Sequence, residues 1–279
     1  MLTPHIHHLR SMFLLFSVFR VYPRPIRAIR VGFCCCFQIT RSSDSSLLYS
    51  SVRSSNLITQ IYRTLARHYG PLHWWPAQTR FEVIVGAFLT QNTSWNNVEL
   101  ALKNLRRAEV LSISGMREIA RAELEQLVRP SGYFRQKAAR LKMFVAYLDD
   151  RHKGSLNRMF AQPVGALRTE LLSQNGIGPE TADAILLYAG KLPVFVVDAY
   201  TKRILERHGI TQTGARYEEV RNEVQTAFAS VFPAAELSDH YNEFHALIVQ
   251  AGKDHCGRVA QCERCPLQSL LPLGRSSRN

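Results

Sequence analysis

The sequence predicts an all-α fold. Three observations carry this prediction. Apolar residues recur at helical spacing in one segment after another from Leu57 onward, clusters of Gly, Pro and Ser separate those segments, and strand-like alternation is scarce. With 46% hydrophobic residues in 279, the chain can build the core of one large domain or two small ones.

The elements follow in order. Residues 57–69 form an amphipathic helix that stops at Gly70-Pro71. Arg80 to Leu89 is mostly apolar, as a central buried helix is. A new helix runs from Asn96 to Arg107 after Thr93-Ser94, and Met116 to Val128 is a further amphipathic helix broken off by Pro130-Ser131-Gly132. Arg135 to Asp150 is long, basic and apolar. Val164, Leu167, Leu171 and Leu172 set the period of a helix over 164–174, which Asn175-Gly176 ends because both residues tolerate a left-handed stop. Gly176 and Gly178 allow a sharp turn, and Pro179 suits the first turn of the next helix, whose buried face is Ala182, Ile185, Leu186 and Ala189. Val194 to Val197 is a short buried lead into a helix over 199–208, opened by Asp198. Helices over 217–231 and 237–252 complete the set.

The turn at 174–179 carries the chemistry. Backbone N–H groups at a helix start form an anion site, and a phosphate held there adds affinity without reading sequence. An ordinary helical hairpin in a core has the same local sequence. Asp198 likewise reads two ways: as an N-cap, or as a lone carboxylate held rigidly at a helix start after an apolar run.

Residues 1–56 look foreign to the rest. They hold seven arginines, no lysine, one acidic residue (Asp44) and the run Cys34-Cys35-Cys36. Such an Arg- and Ser-rich, acid-poor stretch suits a transit peptide, and equally a start codon assigned too far upstream. Residues 272–279 form a Gly/Arg/Ser-rich tail, expected to be disordered. The formal charge is +13, of which 28 basic and 21 acidic residues after Asn56 leave +7, a balance suited to a polyanion. No apolar run approaches the ~20 residues needed to span a membrane. The cysteines do not form a secreted disulfide framework, so an intracellular setting is expected, or an organelle if the leader is real. Cys256, Cys262 and Cys265 instead have spacing that suits a metal or cluster, with His255 beside them.

Taken together, several segments resemble the endonuclease III superfamily of helix-hairpin-helix DNA glycosylases. These are Leu171–Ala182 with Val196-Val197-Asp198, Phe88-Leu89-Thr90-Gln91-Asn92-Thr93, Gly132–Ala138 and the three C-terminal cysteines, in consistent order over roughly 57–271. The resemblance implies two helical lobes with a cleft between them. One is a six-helix barrel, about 81–192; the other is built from both flanks, about 57–80 and 193–271. It implies a monomer acting on double-stranded DNA that contains a damaged base, and a [4Fe–4S] cluster whose fourth cysteine position is Leu271 here.

The same resemblance assigns roles. Asp198 stabilises positive charge on the sugar and activates water; Gly176, Gly178 and Thr181 belong to the phosphate-holding hairpin. Gln91 fills the space left by a flipped base. By their positions near the Gly132 break and after Asp198, Lys137, Arg135, Arg140, Lys202 and Arg203 are phosphate-contact candidates, or solvated surface charges. Bifunctional members carry a lysine at position 180 that forms a Schiff base at C1′. Here Glu180 stands there, and a carboxylate forms no imine. Trp74, Trp75 and Trp95 suit stacking on an electron-poor base, or plain core packing. The Trp pair, Glu180 and Lys253 resemble the 3-methyladenine glycosylase branch, in which a lysine matching Lys253 lies near the active site. The expected activity is hydrolytic release of an alkylated purine. The alternatives are an oxidised-pyrimidine glycosylase with lyase activity, and a non-catalytic binder of damaged DNA.

Overall fold

The computed structural model describes residues 44–72 and 77–272, with side chains from residue 54. Most of the leader, the Trp74-Trp75 pair and residues 273–279 lie outside them. The described residues fall in one compact unit. They are helical as predicted: twelve α-helices and short 3-10 and π turns, with a single isolated bridge, Cys256 to Ala260, as the only β pairing among them.

The helices are α1 (Asp44–Tyr69), α2 (Arg80–Leu89), α3 (Trp95–Arg107), α4 (Ile113–Glu118), α5 (Arg121–Leu127), α6 (Phe134–His152), α7 (Leu156–Phe160), α8 (Val164–Leu172), α9 (Pro179–Ala184), α10 (Ala199–Arg207), α11 (Tyr217–Ala229) and α12 (Leu237–Asp254). Helix α2 is the central one: every residue from Phe81 to Leu89 is buried, and it packs on α3, α6, α9 and the π turn after α9. Thr79 caps its start by accepting from Glu82 N at 3.1 Å. Helix α1 lies instead against α11 and α12, where Tyr62 meets Phe228 and Phe244.

Two boundaries differ from the sequence reading. Helix α1 starts at Asp44, inside the stretch set aside as foreign, rather than at Leu57. Its Ser-rich start has poor helix propensity, so composition hides it. The segment 116–128 is two helices, because the backbone is extended at Ile119 and Ala120. Met116, Ile119 and Leu124 are all buried, so the apolar spacing continues across the break and conceals it. Gly115 lets α4 pack closely on the link from α3: a Cβ there would collide with the Val110 backbone.

Candidate DNA-contacting and catalytic site

The hairpin between α8 and α9 forms where the glycines place it. Gly176 has φ +85°, and a Cβ at that position would overlap the Arg140 side chain. Both facts require glycine. Gly178 caps α9, is exposed and has open space around it, so the start of α9 is open to solvent. Gly176→Ala is expected to destabilise the fold by about 1–2 kcal/mol from the left-handed backbone alone, and to weaken DNA binding as Arg140 is displaced. Urea denaturation and a duplex-binding titration check this.

Gln91 braces the hairpin from below. Its Nε2 donates to Gly176 O at 3.1 Å and Thr181 Oγ1 at 2.9 Å, while its Oε1 accepts from Arg140 Nη1 at 2.5 Å. Thr181 is itself buried. All three polar contacts of the Gln91 amide are thus to the hairpin and Arg140.

Lys137 corrects the sequence reading. It is fully buried, and its Nζ donates to Leu89 O at 2.8 Å and Ser131 O at 2.6 Å. These carbonyls end α2 and the 3-10 turn Arg129–Ser131 after α5, where helices leave acceptors without partners. Burial, with Arg140 nearby, pushes its pKa down to about 8. Lys137 ties two helix ends together and has no surface to offer a phosphate.

Asp198 is the N-cap of α10. Its Oδ1 accepts from Thr201 N at 2.7 Å and Thr201 Oγ1 at 2.8 Å, which leaves Oδ2 for other partners. His245 Nε2 on α12 lies 3.9 Å from Oδ2. The lead segment 194–197 is buried, and side chains of α11 satisfy its amides: Gln225 Oε1 accepts from Phe195 N at 3.0 Å and Tyr217 Oη from Val197 N at 3.2 Å. Tyr217 also bonds to Asp183 on α9. Asp183 is fully buried and takes a two-pronged bond from Arg168 of α8, at 2.6 and 3.1 Å, with Arg221 at 3.7 Å. Burial raises the Asp183 pKa, and Arg168, Tyr217 and Arg221 oppose it. The forked geometry is that of an ion pair. Through this network the two hairpin helices are locked to the segment that ends in Asp198.

Glu180 stands in the first turn of α9. The residue is exposed, yet surrounding protein, then the charge of Asp198, raise its pKa to about 7, against the pull of Lys202. The Asp198 charge acts in the same direction as the surrounding protein, since a second nearby carboxylate disfavours loss of the proton. Glu180, Asp198 and Lys202 therefore come together. Trp95 opens α3, half-buried and packed on the core. Lys253 is exposed in the last turn of α12. What the sequence missed is His245 and its partner Tyr188, because both read as ordinary residues on apolar helix faces.

Cys256, Cys262 and Cys265 are free thiols lining one small cavity with His208, His255 and Leu271. Arg207 Nη1 donates to Cys256 Sγ at 3.0 Å. Leu271 brings no donor to this cavity, and among the described residues no three His, Cys, Asp or Glu side chains are placed to hold a metal ion. The donor set does not fit a four-thiolate cluster, so the chemistry below uses none. No helix among the described residues is long and apolar enough to cross a membrane.

Comparison with known proteins agrees with this geometry. A Methanocaldococcus jannaschii protein described as a DNA repair glycosylase is 42% identical over 216 residues, covering 77% of this chain and 95% of its own. Endonuclease III of Thermotoga maritima is 28% identical over 193 residues, 68% of this chain and 81% of its own. Among solved structures, the H. pylori 3-methyladenine DNA glycosylase bound to 1,N6-ethenoadenine superposes with a TM-score of 0.62 at 31% identity, over 72% of this chain and 97% of that one. A trapped endonuclease III–DNA covalent intermediate superposes with a TM-score of 0.63 at 22% identity, over 78% of this chain and 95% of that one, a likeness of fold. Residues 85–230, which span the Gln91 brace, the hairpin and Asp198, match one family throughout, and the chain belongs to the HhH-GPD superfamily of base excision DNA repair proteins.

Proposed function

We propose that this glycosylase hydrolyses the N-glycosidic bond of an alkylated purine flipped out of duplex DNA and leaves the strand uncut. The observation that carries the reading is the pairing at the hairpin. Asp198 presents a carboxylate, and the α9 position that holds a lysine in strand-nicking relatives holds Glu180 beside it. The 31% identity to the H. pylori 3-methyladenine glycosylase supports the substrate class. The duplex is held by the amides at the start of α9 and by Lys202, with Gly176, Gly178 and Thr181 shaping the hairpin.

The chemistry follows from charge. As the bond from C1′ to the base nitrogen breaks, the electron pair leaves with the base and positive charge grows on the sugar. The Asp198 carboxylate stabilises that charge, and a water it orients adds to C1′ and gives up its proton to Oδ2. An alkylated purine is already cationic, departs as a neutral base and needs no acid. Recognition of such a base calls for aromatic faces and few charges, and Trp74, Trp75, Trp95 and Lys253 are the residues the sequence offers for it.

Two assays test this. The protein incubated with methylated DNA is expected to release free alkylated purines, identified by chromatography. Borohydride added to a reaction on abasic DNA is expected to trap no protein–DNA adduct, whereas Glu180→Lys is expected to yield one. A strong adduct with the unaltered protein moves the reading to an oxidised-pyrimidine glycosylase with lyase activity.

A further inference from the structure

His245 is a buried polar group that the reaction just described leaves without a task. It lies on α12, and its Nδ1 is 2.5 Å from Tyr188 Oη. Its Nε2 is buried with no hydrogen-bond partner, and Asp198 Oδ2 lies 3.9 Å away. A buried N–H without an acceptor is costly, so a group left in this state needs a reason. Tyr188 sits in the π turn Ile185–Ala189 that continues α9. A π turn inserts one extra residue and re-aims the side chains around it, which is why such turns gather at functional sites.

The proton positions follow from electrostatics. A lone pair on Nε2 facing a carboxylate is repelled, and an N–H is attracted. Nε2 therefore carries the hydrogen and Nδ1 accepts from the Tyr188 hydroxyl. The chain runs Tyr188 O–H to Nδ1, then Nε2–H toward Asp198 Oδ2. Burial also lowers the imidazole pKa, opposed by Asp198, in keeping with a neutral ring. The 3.9 Å gap is too long for a hydrogen bond and too short to seat a water, so a small rotation of Asp198 closes it.

We infer that His245, held by Tyr188, is the positioning residue for Asp198: its Nε2–H bonds Oδ2 once substrate fills the site. Thr201 then holds one carboxylate oxygen and His245 the other, so the plane of the carboxylate is fixed beneath the sugar. This rests on Asp198 acting as proposed above.

The test measures single-turnover base release from methylated duplex at saturating protein, alongside duplex affinity and melting temperature. His245→Phe is expected to slow release about 10- to 100-fold, as loss of an orienting partner does elsewhere, with affinity within about twofold of the unaltered protein. Tyr188→Phe is expected to slow it less. His245→Gln, whose amide can donate to Asp198 and accept from Tyr188, is expected to recover most of the rate; it also serves if the Phe variant folds poorly. In an Asp198→Asn background, His245→Phe is expected to add nothing. Release by His245→Phe at the unaltered rate overturns the inference, as does a loss matched by weaker DNA binding, or a Gln variant that melts normally yet is as slow as Phe. If Asp198→Asn alone keeps full activity, the reading of Asp198 fails instead, and the two failures are distinct.

Discussion

Asp198→Asn is expected to lower the rate of base release by about 10²–10⁴-fold while leaving the fold intact. The prediction separates the two roles of this residue. As an N-cap, Asp198 accepts from Thr201 N and Oγ1 through Oδ1. Asparagine is an equally good cap, so its side-chain oxygen keeps those bonds and stability changes by less than about 1 kcal/mol. What asparagine lacks is negative charge to oppose the oxocarbenium-like sugar and a base to take the proton of water. Asp198→Ala removes both roles and costs about 1 kcal/mol of stability in addition. Single-turnover release from methylated duplex, with thermal melting as the control, reads both effects. Unaltered release by the Asn variant removes Asp198 from the chemistry. No release by the unaltered protein from any damaged substrate, with tight binding retained, points to a binder of damaged DNA.

Asp183→Ala is expected to destabilise the protein by about 3–5 kcal/mol, as breaking a buried ion pair does. Asp183 is fully buried, while the Arg168 and Arg221 side chains are 15% and 16% exposed, so the substitution leaves two largely enclosed guanidinium groups without their central partner. Arg168 keeps its bond to Glu218 at 2.7 Å, which places the expected loss toward the lower end. Tyr217 loses its link to α9 as well, so the bond it accepts from Val197 N, just before Asp198, is no longer joined to the hairpin. Urea unfolding is the measurement, and a loss under about 1 kcal/mol means the network does not hold the hairpin to the lead segment. A lower release rate in the surviving folded fraction is expected too, because the hairpin and Asp198 then lose their shared anchor.

The parts of this protein legible in sequence are the local ones. Helix positions followed from apolar spacing, and α2, α10 and the α8–α9 hairpin lie within a residue or two of where spacing and stop signals put them. Gly176, Gly178 and Pro179 announce a turn because φ, steric room and a missing N–H are properties of single residues. The failures are instructive in the same terms. The start of helix α1 is hidden in sequence because its serines are weak helix formers. The break at Ile119 has no breaker residue and keeps the apolar spacing, so period alone cannot show it. Lys137 reads in sequence as a phosphate contact or a solvated surface charge, because lysine is usually on the surface; two carbonyls at helix ends take it inside.

By itself the sequence determined the helical class, the glycine turn between α8 and α9, and the places of Glu180 and Asp198 at two helix starts, since each depends on residues adjacent in the chain. Only the tertiary structure decided what surrounds them. Residues 188, 198 and 245 share one buried contact, and 168, 183, 217 and 221 share another. The strength of such contacts depends on burial and on distances of a few ångströms between segments far apart in sequence, quantities that packing fixes and residue order does not.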